Sequence, residues 1–219
     1  MARLKAAVLI SGRGTNLQAL IEDCARPDAP AEIALVLSNV PGAAGLARAA
    51  DAGIATRVID HKGFASRAAF EDALQRCLDE TGIELVCLAG FMRLLTAPFV
   101  ERWRNRLINI HPSLLPSYRG LDTHARAIAD GVRFAGCTVH FVRAEMDAGP
   151  IIVQAAVPVH PDDDADRLAA RVLEAEHRCY PLALRLIAAG RVRVDGERVI
   201  VDGAAAPPAV LLNPDDGRR

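Results

Sequence analysis

The 219-residue sequence is poor in aromatic side chains and has no excess of charge of either sign. Phe, Trp and Tyr make up 4% of the residues, so the sequence lacks the stacking surfaces with which proteins bind single-stranded nucleic acids. The 26 Lys and Arg are balanced by 27 Asp and Glu, and a net charge of −1 gives no general attraction for a polyanion. Both shortages argue against a nucleic-acid partner.

Long hydrophobic runs and closely spaced cysteines are also missing. The N-terminal apolar run ends at Ser11-Gly12, too short for a spanning helix and without the cleavage pattern of a secretory signal, so no membrane partner is expected. The five cysteines are scattered and odd in number, and none lies at a zinc-ligand spacing from another Cys or His. We therefore expect reduced thiols, a cytoplasmic protein and no metal.

Short apolar runs alternate with longer amphipathic segments along most of the chain. Strands are predicted over 4–10, 32–38, 56–59, 85–89, 106–111, 137–143 and 151–157. Helices are predicted over 16–24, 41–53, 64–81 and 123–130, and over a segment after 164 with an apolar stripe at Leu168, Val172, Ala175, Cys179, Leu182 and Leu186. Pro181 should kink or divide that last helix.

This alternation predicts an α/β fold, a Rossmann-like, mostly parallel twisted sheet with helices on both faces. A C-terminal β-hairpin over 191–201 should turn at Asp195-Gly196. Because no repeat or linker interrupts the pattern, we expect one domain over 1–203, followed by a loosely ordered tail over 204–219.

The segment Ser11-Gly12-Arg13-Gly14-Thr15-Asn16-Leu17 joins the first strand to the first helix. Its glycines let the backbone approach an anion, and free N–H groups at the helix start point towards it. The alternative is a tight turn with no ligand, and the segment alone leaves the two about equal. The third glycine of a dinucleotide fingerprint and the Gly-Lys-Ser/Thr of a triphosphatase are both absent, which favours a monophosphate over NAD or ATP.

A second polar segment, Asn109-Ile110-His111-Pro112, ends the fifth strand. Positions two apart share a face of a strand, so an amide and an imidazole project together where open α/β sheets bind ligands. A structural histidine is the alternative. Asp147 lies in a turn before Gly149-Pro150; near His111 it would stabilise the imidazolium and favour proton donation, but spacing alone leaves it an ordinary turn residue.

Five segments resemble the glycinamide ribonucleotide formyltransferases, a family of folate-dependent enzymes of purine synthesis. They are VLISGRGTNLQALI (8–21), AGFMRLL (89–95), INIHPSLLPSYRGLDTHARAI (108–128), TVHFVRAEMDAGPIIVQAAVPV (138–159) and EHRCYP (176–181). The motif INIHPSLLP alone would indicate only the wider formyl-folate superfamily. Because the first strand starts at Leu4 and only a short hairpin follows the last helix, we expect neither the additional domain of its tRNA-dependent members nor that of its deformylase members.

The resemblance implies formyl transfer from 10-formyltetrahydrofolate, a co-substrate, to the amine of glycinamide ribonucleotide, without a metal. The residues implied in catalysis are Asn109, His111 and Asp147. Those implied in binding the ribonucleotide and its phosphate are Gly14, Thr15, Asn16 and Glu176. Those implied in binding folate are Arg67, Met92, Arg93, Leu94, Leu95, Asn109, Arg143, Ala144, Glu145 and Met146.

The same resemblance assigns residues 1–105 to a phosphate- and ribonucleotide-binding half and 106–189 to a catalytic and folate-binding half. Other polar residues of the matching segments, His124, Thr138 and His140, are interpreted as supporting or structural. Two alternatives stay open: a deformylase-like hydrolase, in which water replaces the amine, and a non-catalytic phosphate-binding α/β protein. A monomer and a homodimer are both compatible with the sequence.

Overall fold

The computed structural model describes residues 2–205 and 211–213, which form a seven-stranded sheet, six α-helices, a short 3₁₀ helix (His61–Gly63) and a separate hairpin. The sheet strands are β1 (Leu4–Ile10), β2 (Ala31–Ser38), β3 (Thr56–Val58), β4 (Leu85–Leu88), β5 (Leu107–His111), β6 (Phe134–Phe141) and β7 (Ile151–Pro158). The helices are α1 (Thr15–Cys24), α2 (Ala44–Asp51), α3 (Arg67–Glu80), α4 (Ala97–Arg102), α5 (Thr123–Ala129) and α6 (Ala165–Ala188). The hairpin strands are β8 (Val192–Asp195) and β9 (Arg198–Val201). The tail predicted over 204–219 falls largely outside the described residues.

The strand order in the sheet is β3-β2-β1-β4-β5-β6-β7. The pairs from β3 to β5 are parallel, and β6 pairs antiparallel with both β5 and β7. The predicted α/β fold with a mostly parallel sheet is therefore confirmed. The chain order reverses at β1, which lies between β2 and β4, and open α/β sheets bind ligands beyond the strand ends at such a point.

Helices cover both faces of the sheet and give it two apolar layers. On one face, Val8 and Ile10 of β1 pack with residues of α1, α2, α5 and α6. On the other face, Ala7 and Leu9 pack with α3 and with the segment that contains α4. Because neither face meets water, the central strands are continuous apolar runs, which is why they were predictable from the sequence.

Two local features differ from the prediction. Helix α4, which was not predicted, is only six residues long, too short for a hydrophobic period to show, and it forms because Phe99 and Val100 pack into the core. The hairpin forms as predicted but turns one residue later, at Gly196-Glu197, where Gly196 has the positive φ (59°) that a tight hairpin favours.

Helix α6 is a single 24-residue helix that continues through Pro181, so the predicted division is wrong. Proline costs the helix one hydrogen bond, but Pro181 and its neighbour Tyr180 are buried, and this packing holds the helix together. The apolar stripe also shifts there: Leu182 is 38% exposed, whereas Ala183 and Leu184 are fully buried. No helix of the described chain, α6 included, has both the length and the apolar content to span a bilayer.

The hydroxyl of Tyr180 connects α6 to two neighbouring strands. It lies 2.9 Å from the carbonyl oxygen of Leu88, at the end of β4, and 3.3 Å from that of Ile108 in β5. The side chain is fully buried, so this hydroxyl has no water with which to replace these partners. It fixes the spacing of the two strands beside which the polar residues of the candidate site lie.

Candidate active site

Asn109 and His111 end β5, the strand at which the sheet changes from parallel to antiparallel. Their two-residue spacing puts both side chains on one face, while Ile108 and Ile110 belong to the core on the opposite face. The antiparallel register sets His140 of β6 opposite Asn109. Polar side chains from two strands therefore meet at this place in the sheet.

The imidazole of His111 lies between a backbone carbonyl and a carboxylate. Its Nε2 is 2.9 Å from the carbonyl oxygen of Tyr118, and because a carbonyl can only accept, this nitrogen carries a hydrogen. Its Nδ1 is 3.5 Å from Oδ2 of Asp147, an ion-pair distance that is longer than a good hydrogen bond. Nδ1 thus remains open to a substrate, with a carboxylate beside it.

Asp147 reaches His111 from the β6–β7 loop (residues 142–150). Its backbone has a left-handed conformation (φ 52°), and its Oδ2 accepts a hydrogen bond of 2.9 Å from the N–H of Gly120. Gly149 holds the end of the loop against the sheet, since a Cβ there would lie 1.7 Å from the carbonyl oxygen of Phe141. The acid is therefore fixed by its loop as well as by its own hydrogen bond.

His140 orients the amide of Asn109. Its Nδ1 lies 3.1 Å from the carbonyl oxygen of Phe141 and carries the ring hydrogen, so its Nε2 accepts from Nδ2 of Asn109 at 3.3 Å. Burial lowers the pKa of His140 to about 4, although Asp147, 3.9 Å away, acts in the opposite direction. At neutral pH His140 is therefore uncharged, and His111 is the nearer of the two rings to the carboxylate of Asp147.

The glycine loop (residues 11–16) ends at the N-terminus of α1. Gly14 precedes the helix with a left-handed backbone (φ 70°), and no side chain caps the first turn, so its N–H groups lack an intrahelical partner. A Cβ on Gly14 would lie 2.7 Å from Cα of Gly45 in α2, so only glycine permits this close approach. The first turn of α1, which includes Thr15 and Asn16, can therefore receive an anion.

Asn16 and Glu176, both implied in ribonucleotide binding, contact each other. Nδ2 of Asn16 donates to Oε2 of Glu176 at 2.7 Å, which joins the glycine loop to α6. Oδ1 of Asn16 is buried and has no hydrogen-bond partner among the described residues, so it can accept from a ligand hydroxyl. Burial raises the pKa of Glu176, and the hydrogen bond from Asn16 opposes that shift.

Asn109, His111 and Asp147 open into a cavity of about 610 Å³. Its wall includes most of the residues implied in folate binding, namely Met92, Arg93, Leu94, Leu95, Arg143, Ala144 and Met146. Met92, Leu94 and Met146 are at least half exposed, so apolar surface is available to a flat ring system. A volume of this size holds a ligand of several hundred daltons rather than a single small anion.

Three residues implied in folate binding stand apart from the others. Arg67 is exposed at the start of α3 and does not line the cavity. Glu145 points out of the cavity and pairs with Arg119, Nη1 to Oε1, at 2.5 Å. Arg143 lines the cavity, but its guanidinium is bonded elsewhere, to Glu197 and to Asn105.

Sequence reasoning missed the contacts that hold the three catalytic candidates in place. His140 was interpreted as supporting or structural, and its contact with Asn109 could have been found by pairing the two strands as antiparallel neighbours. The backbone groups of Tyr118 and Gly120 leave no signal in the side-chain pattern. A larger depression of about 1010 Å³ lies along α1, α6 and β7, but it contains none of the three catalytic candidates.

The part of the chain that the structure describes contains no cluster of three or more His, Cys, Asp or Glu that could hold a metal ion. All five cysteines are free, and four of them are buried. The polar groups beside the cavity include the amide of Asn109, the imidazole of His111 and the carboxylate of Asp147, an arrangement suited to proton transfer and to stabilising an oxyanion.

The chain is similar to known formyl transferases over most of its length. A family model described as "Formyl transferase" matches residues 4–184. The "Phosphoribosylglycinamide formyltransferase" of Haemophilus influenzae is 44% identical over 209 residues, which are 95% of this chain and 99% of that protein. The "Trifunctional purine biosynthetic protein adenosine-3" of Gallus gallus is 55% identical over 192 residues, 88% of this chain. The chain spans about a fifth (19%) of the length of that trifunctional relative.

Solved structures show the same similarity. Glycinamide ribonucleotide transformylase 1 from Symbiobacterium toebii superposes with a TM-score of 0.88 at 48% identity, over 91% of this chain and 94% of the other. A formyltetrahydrofolate deformylase from Burkholderia mallei superposes with a TM-score of 0.83 at 30% identity, over 91% of this chain and 70% of the other. The fold is common to both, and the sequence is nearer to the transformylase.

Proposed function

The chain belongs to the formyl transferase family, and on that premise we propose that it transfers the formyl group of 10-formyltetrahydrofolate to the amine of glycinamide ribonucleotide. One observation carries the proposal: Asn109, His111 and Asp147 converge on a cavity of about 610 Å³. The glycine loop, which can receive an anion, follows β1, and β1 is separated from β5 in the sheet only by β4. The arrangement suits a folate in the cavity and a phosphorylated amine at the loop.

Asn109 and His111 stabilise the oxyanion that forms when the amine attacks the formyl carbon. One N–H of the Asn109 amide donates to His140. This bond fixes the orientation of the amide, and the second N–H donates to the oxyanion. Nδ1 of a protonated His111 is the second donor. A preorganised donor of this kind contributes about 10²–10³ to the rate.

His111 also supplies a proton when the tetrahedral intermediate collapses and the folate nitrogen leaves. The carboxylate of Asp147 stabilises the protonated ring at 3.5 Å and, held by Gly120, keeps a fixed position while the charge moves. Nε2 stays bonded to the carbonyl of Tyr118 throughout, so only Nδ1 exchanges a proton with the reactants. A bound water can relay the proton that the attacking amine loses to Nδ1 of His111, which restores the protonated ring.

The implied residues at the glycine loop and on the wall of the cavity bind the two substrates. The first turn of α1 receives the phosphate at Gly14, Thr15 and Asn16, while Glu176 and Oδ1 of Asn16 accept from ribose hydroxyls. Met92, Leu94 and Met146 pack against the pteridine and its linker. Arg93 lines the same cavity with its Nε buried and unbonded among the described residues, and it is free to bind a carboxylate of the folate.

The test is the change in folate absorbance when the protein is mixed with 10-formyltetrahydrofolate, with and without glycinamide ribonucleotide. We expect tetrahydrofolate to form only when the ribonucleotide is present. His111→Ala should lower kcat about 10²- to 10³-fold and leave the KM of both substrates within a few-fold, because the imidazole acts mainly on the transition state. His160→Ala, at an exposed histidine remote from the cavity, is the matched control.

Two other outcomes would replace the proposal. Release of formate at the same rate without the ribonucleotide would indicate a hydrolase that uses water as the nucleophile. No turnover, with the ribonucleotide bound equally by the wild type and by His111→Ala, would indicate a phosphate-binding protein without catalysis.

Three further predictions belong to the proposal. The chain is one domain over 1–203, with residues 1–105 serving the ribonucleotide and 106–189 serving the folate and the chemistry. The protein acts as a monomer or a homodimer on small molecules alone. It works in the cytoplasm, where its free thiols stay reduced.

A further inference from the structure

We propose that Glu197, at the turn of the C-terminal hairpin, is a positioning residue for the β6–β7 loop and thereby for the folate. This inference rests on the proposed function, because the loop is one wall of the cavity assigned to the folate. Glu197 itself does not line that cavity. It acts through Arg143, which directly precedes the exposed residues 144–146 of the loop.

Each of the three guanidinium nitrogens of Arg143 is bonded to another residue of the chain. Its Nε lies 2.9 Å from Oε2 of Glu197, its Nη2 lies 3.0 Å from Oδ1 of Asn105, and its Nη1 lies 3.1 Å from the carbonyl oxygen of Val142. Arg104 adds a second cation, with Nη2 3.2 Å from Oε1 of Glu197. Glu197 in the hairpin turn thus contacts Arg143 of the loop and Arg104 of the segment before β5, and Arg143 also contacts Asn105 of that segment.

These contacts of Arg143 hold one end of the β6–β7 loop. The contacts of Asp147 with His111 and Gly120 hold the other end. Arg143 contacts Asn105, which lies before the first residue of β5, and Asp147 contacts His111, the last residue of β5. The loop therefore runs beside β5 from one end of the strand to the other. Between these points Ala144, Glu145 and Met146 are exposed, and within residues 2–205 and 211–213 the one side-chain hydrogen bond that they make is the pair between Glu145 and Arg119.

Glu197 is the carboxylate that neutralises Arg143 within the described part of the chain. The Arg143 side chain is only 10% exposed, and a guanidinium so poorly hydrated is costly to leave without an anion. Arg104 does not depend on Glu197 in this way, because it also pairs with Glu101 at 2.9 Å. Removing the Glu197 charge therefore favours movement of Arg143 towards water, and the start of the loop moves with it.

The first experiment measures amide hydrogen exchange in the full-length protein without substrates. In Glu197→Gln, which keeps the size of the side chain, we expect the amide of Val142, which donates to the carbonyl oxygen of Leu107 at 2.9 Å, to exchange about 3- to 10-fold faster. Asp195→Asn removes the same charge from an exposed position of the same hairpin with no side-chain partner among the described residues, and should leave that exchange unchanged. Equal exchange in Glu197→Gln and the wild type would overturn the proposal.

The second experiment measures steady-state kinetics. Glu197→Gln should raise the KM for 10-formyltetrahydrofolate about 3- to 10-fold, with kcat and the KM for the ribonucleotide within about twofold, because the change affects folate binding and not the transition state. In an Arg143→Met background, Glu197→Gln should have no further effect on the folate KM. An unchanged or lower folate KM, or an equal effect in both backgrounds, would refute the role.

The two experiments separate this inference from the proposed function. If the wild type transfers no formyl group, the proposed function fails, and the exchange of the Val142 amide still decides whether Glu197 holds the loop. If the wild type is active and both readouts of Glu197→Gln match those of Asp195→Asn, the inference fails and the proposed function stands.

Discussion

Lowering the pH from 7 to 5 should destabilise the folded protein through one buried side chain, that of His140. Burial lowers its pKa from 6.5 to about 4 in the folded state. Because the unfolded chain keeps the ordinary value, it binds the extra proton first as the pH falls. The stability that the neutral ring provides is therefore fully present above pH 6.5 and is lost progressively as the pH falls towards 4.

The size of the effect follows from the two pKa values. A separation of about 2.5 units corresponds to about 3 kcal/mol when the loss is complete. Between pH 7 and pH 5, about 2 kcal/mol of that amount should be lost. This is a large share of the 5–15 kcal/mol by which folded domains are ordinarily stable.

The assay is urea unfolding at pH 7 and pH 5, followed by the fluorescence of the single tryptophan, Trp103, which is buried. In His140→Gln the drop in unfolding free energy should be smaller than in the wild type by about 2 kcal/mol. Burial also lowers the pKa of His124 and His177, but both are present in the two proteins and cancel. Equal drops in the two proteins would refute the reasoning, and His160→Gln, at an exposed histidine, should behave as the wild type.

Three further changes test other parts of the structure. Asp147→Asn keeps an acceptor for the N–H of Gly120 but removes the charge beside His111, so kcat should fall while the KM of both substrates stays within a few-fold; an unchanged kcat would remove that role. Gly14→Ala forces a side chain into a left-handed backbone and should lower stability by about 1–2 kcal/mol and weaken ribonucleotide binding, as measured by thermal unfolding and calorimetry. Tyr180→Phe removes the buried hydroxyl that bonds the carbonyl oxygens of Leu88 and Ile108 and should cost about 0.5–1.5 kcal/mol in urea unfolding, and no loss would show that the hydroxyl does not join the two strands.

The fold was predictable where burial leaves a mark on the sequence. Strands such as β1 and β4 are apolar on both faces, and their runs of Val, Leu and Ala indicate a covered parallel sheet. Helix α6 was harder, because Pro181 predicts a break from local propensity alone, and only the tertiary packing of Tyr180 and its neighbours explains the intact helix.

The residues of the candidate site could be predicted from their spacing and from the family resemblance, but most of their contacts could not. The two-residue spacing of Asn109 and His111 is visible in the sequence, but the approach of Asp147 depends on a loop between two antiparallel strands. The commitment of Arg143 to Glu197 joins residues 54 positions apart and has no local signal. Long-range pairings of this kind are fixed by tertiary geometry and not by any period of the chain.

One rigid helix, α6, carries both the acid at the ribonucleotide loop and the hydroxyl that spans β4 and β5. In the proposed transfer, the sites of both substrates would then be attached to the same helix. Thermal motion of α6 would move the two sites together and change the distance between the amine and the formyl carbon little. Reacting atoms must approach to about 3–3.5 Å with correct alignment. The buried packing of α6 thus determines how the two substrates are aligned in the cavity.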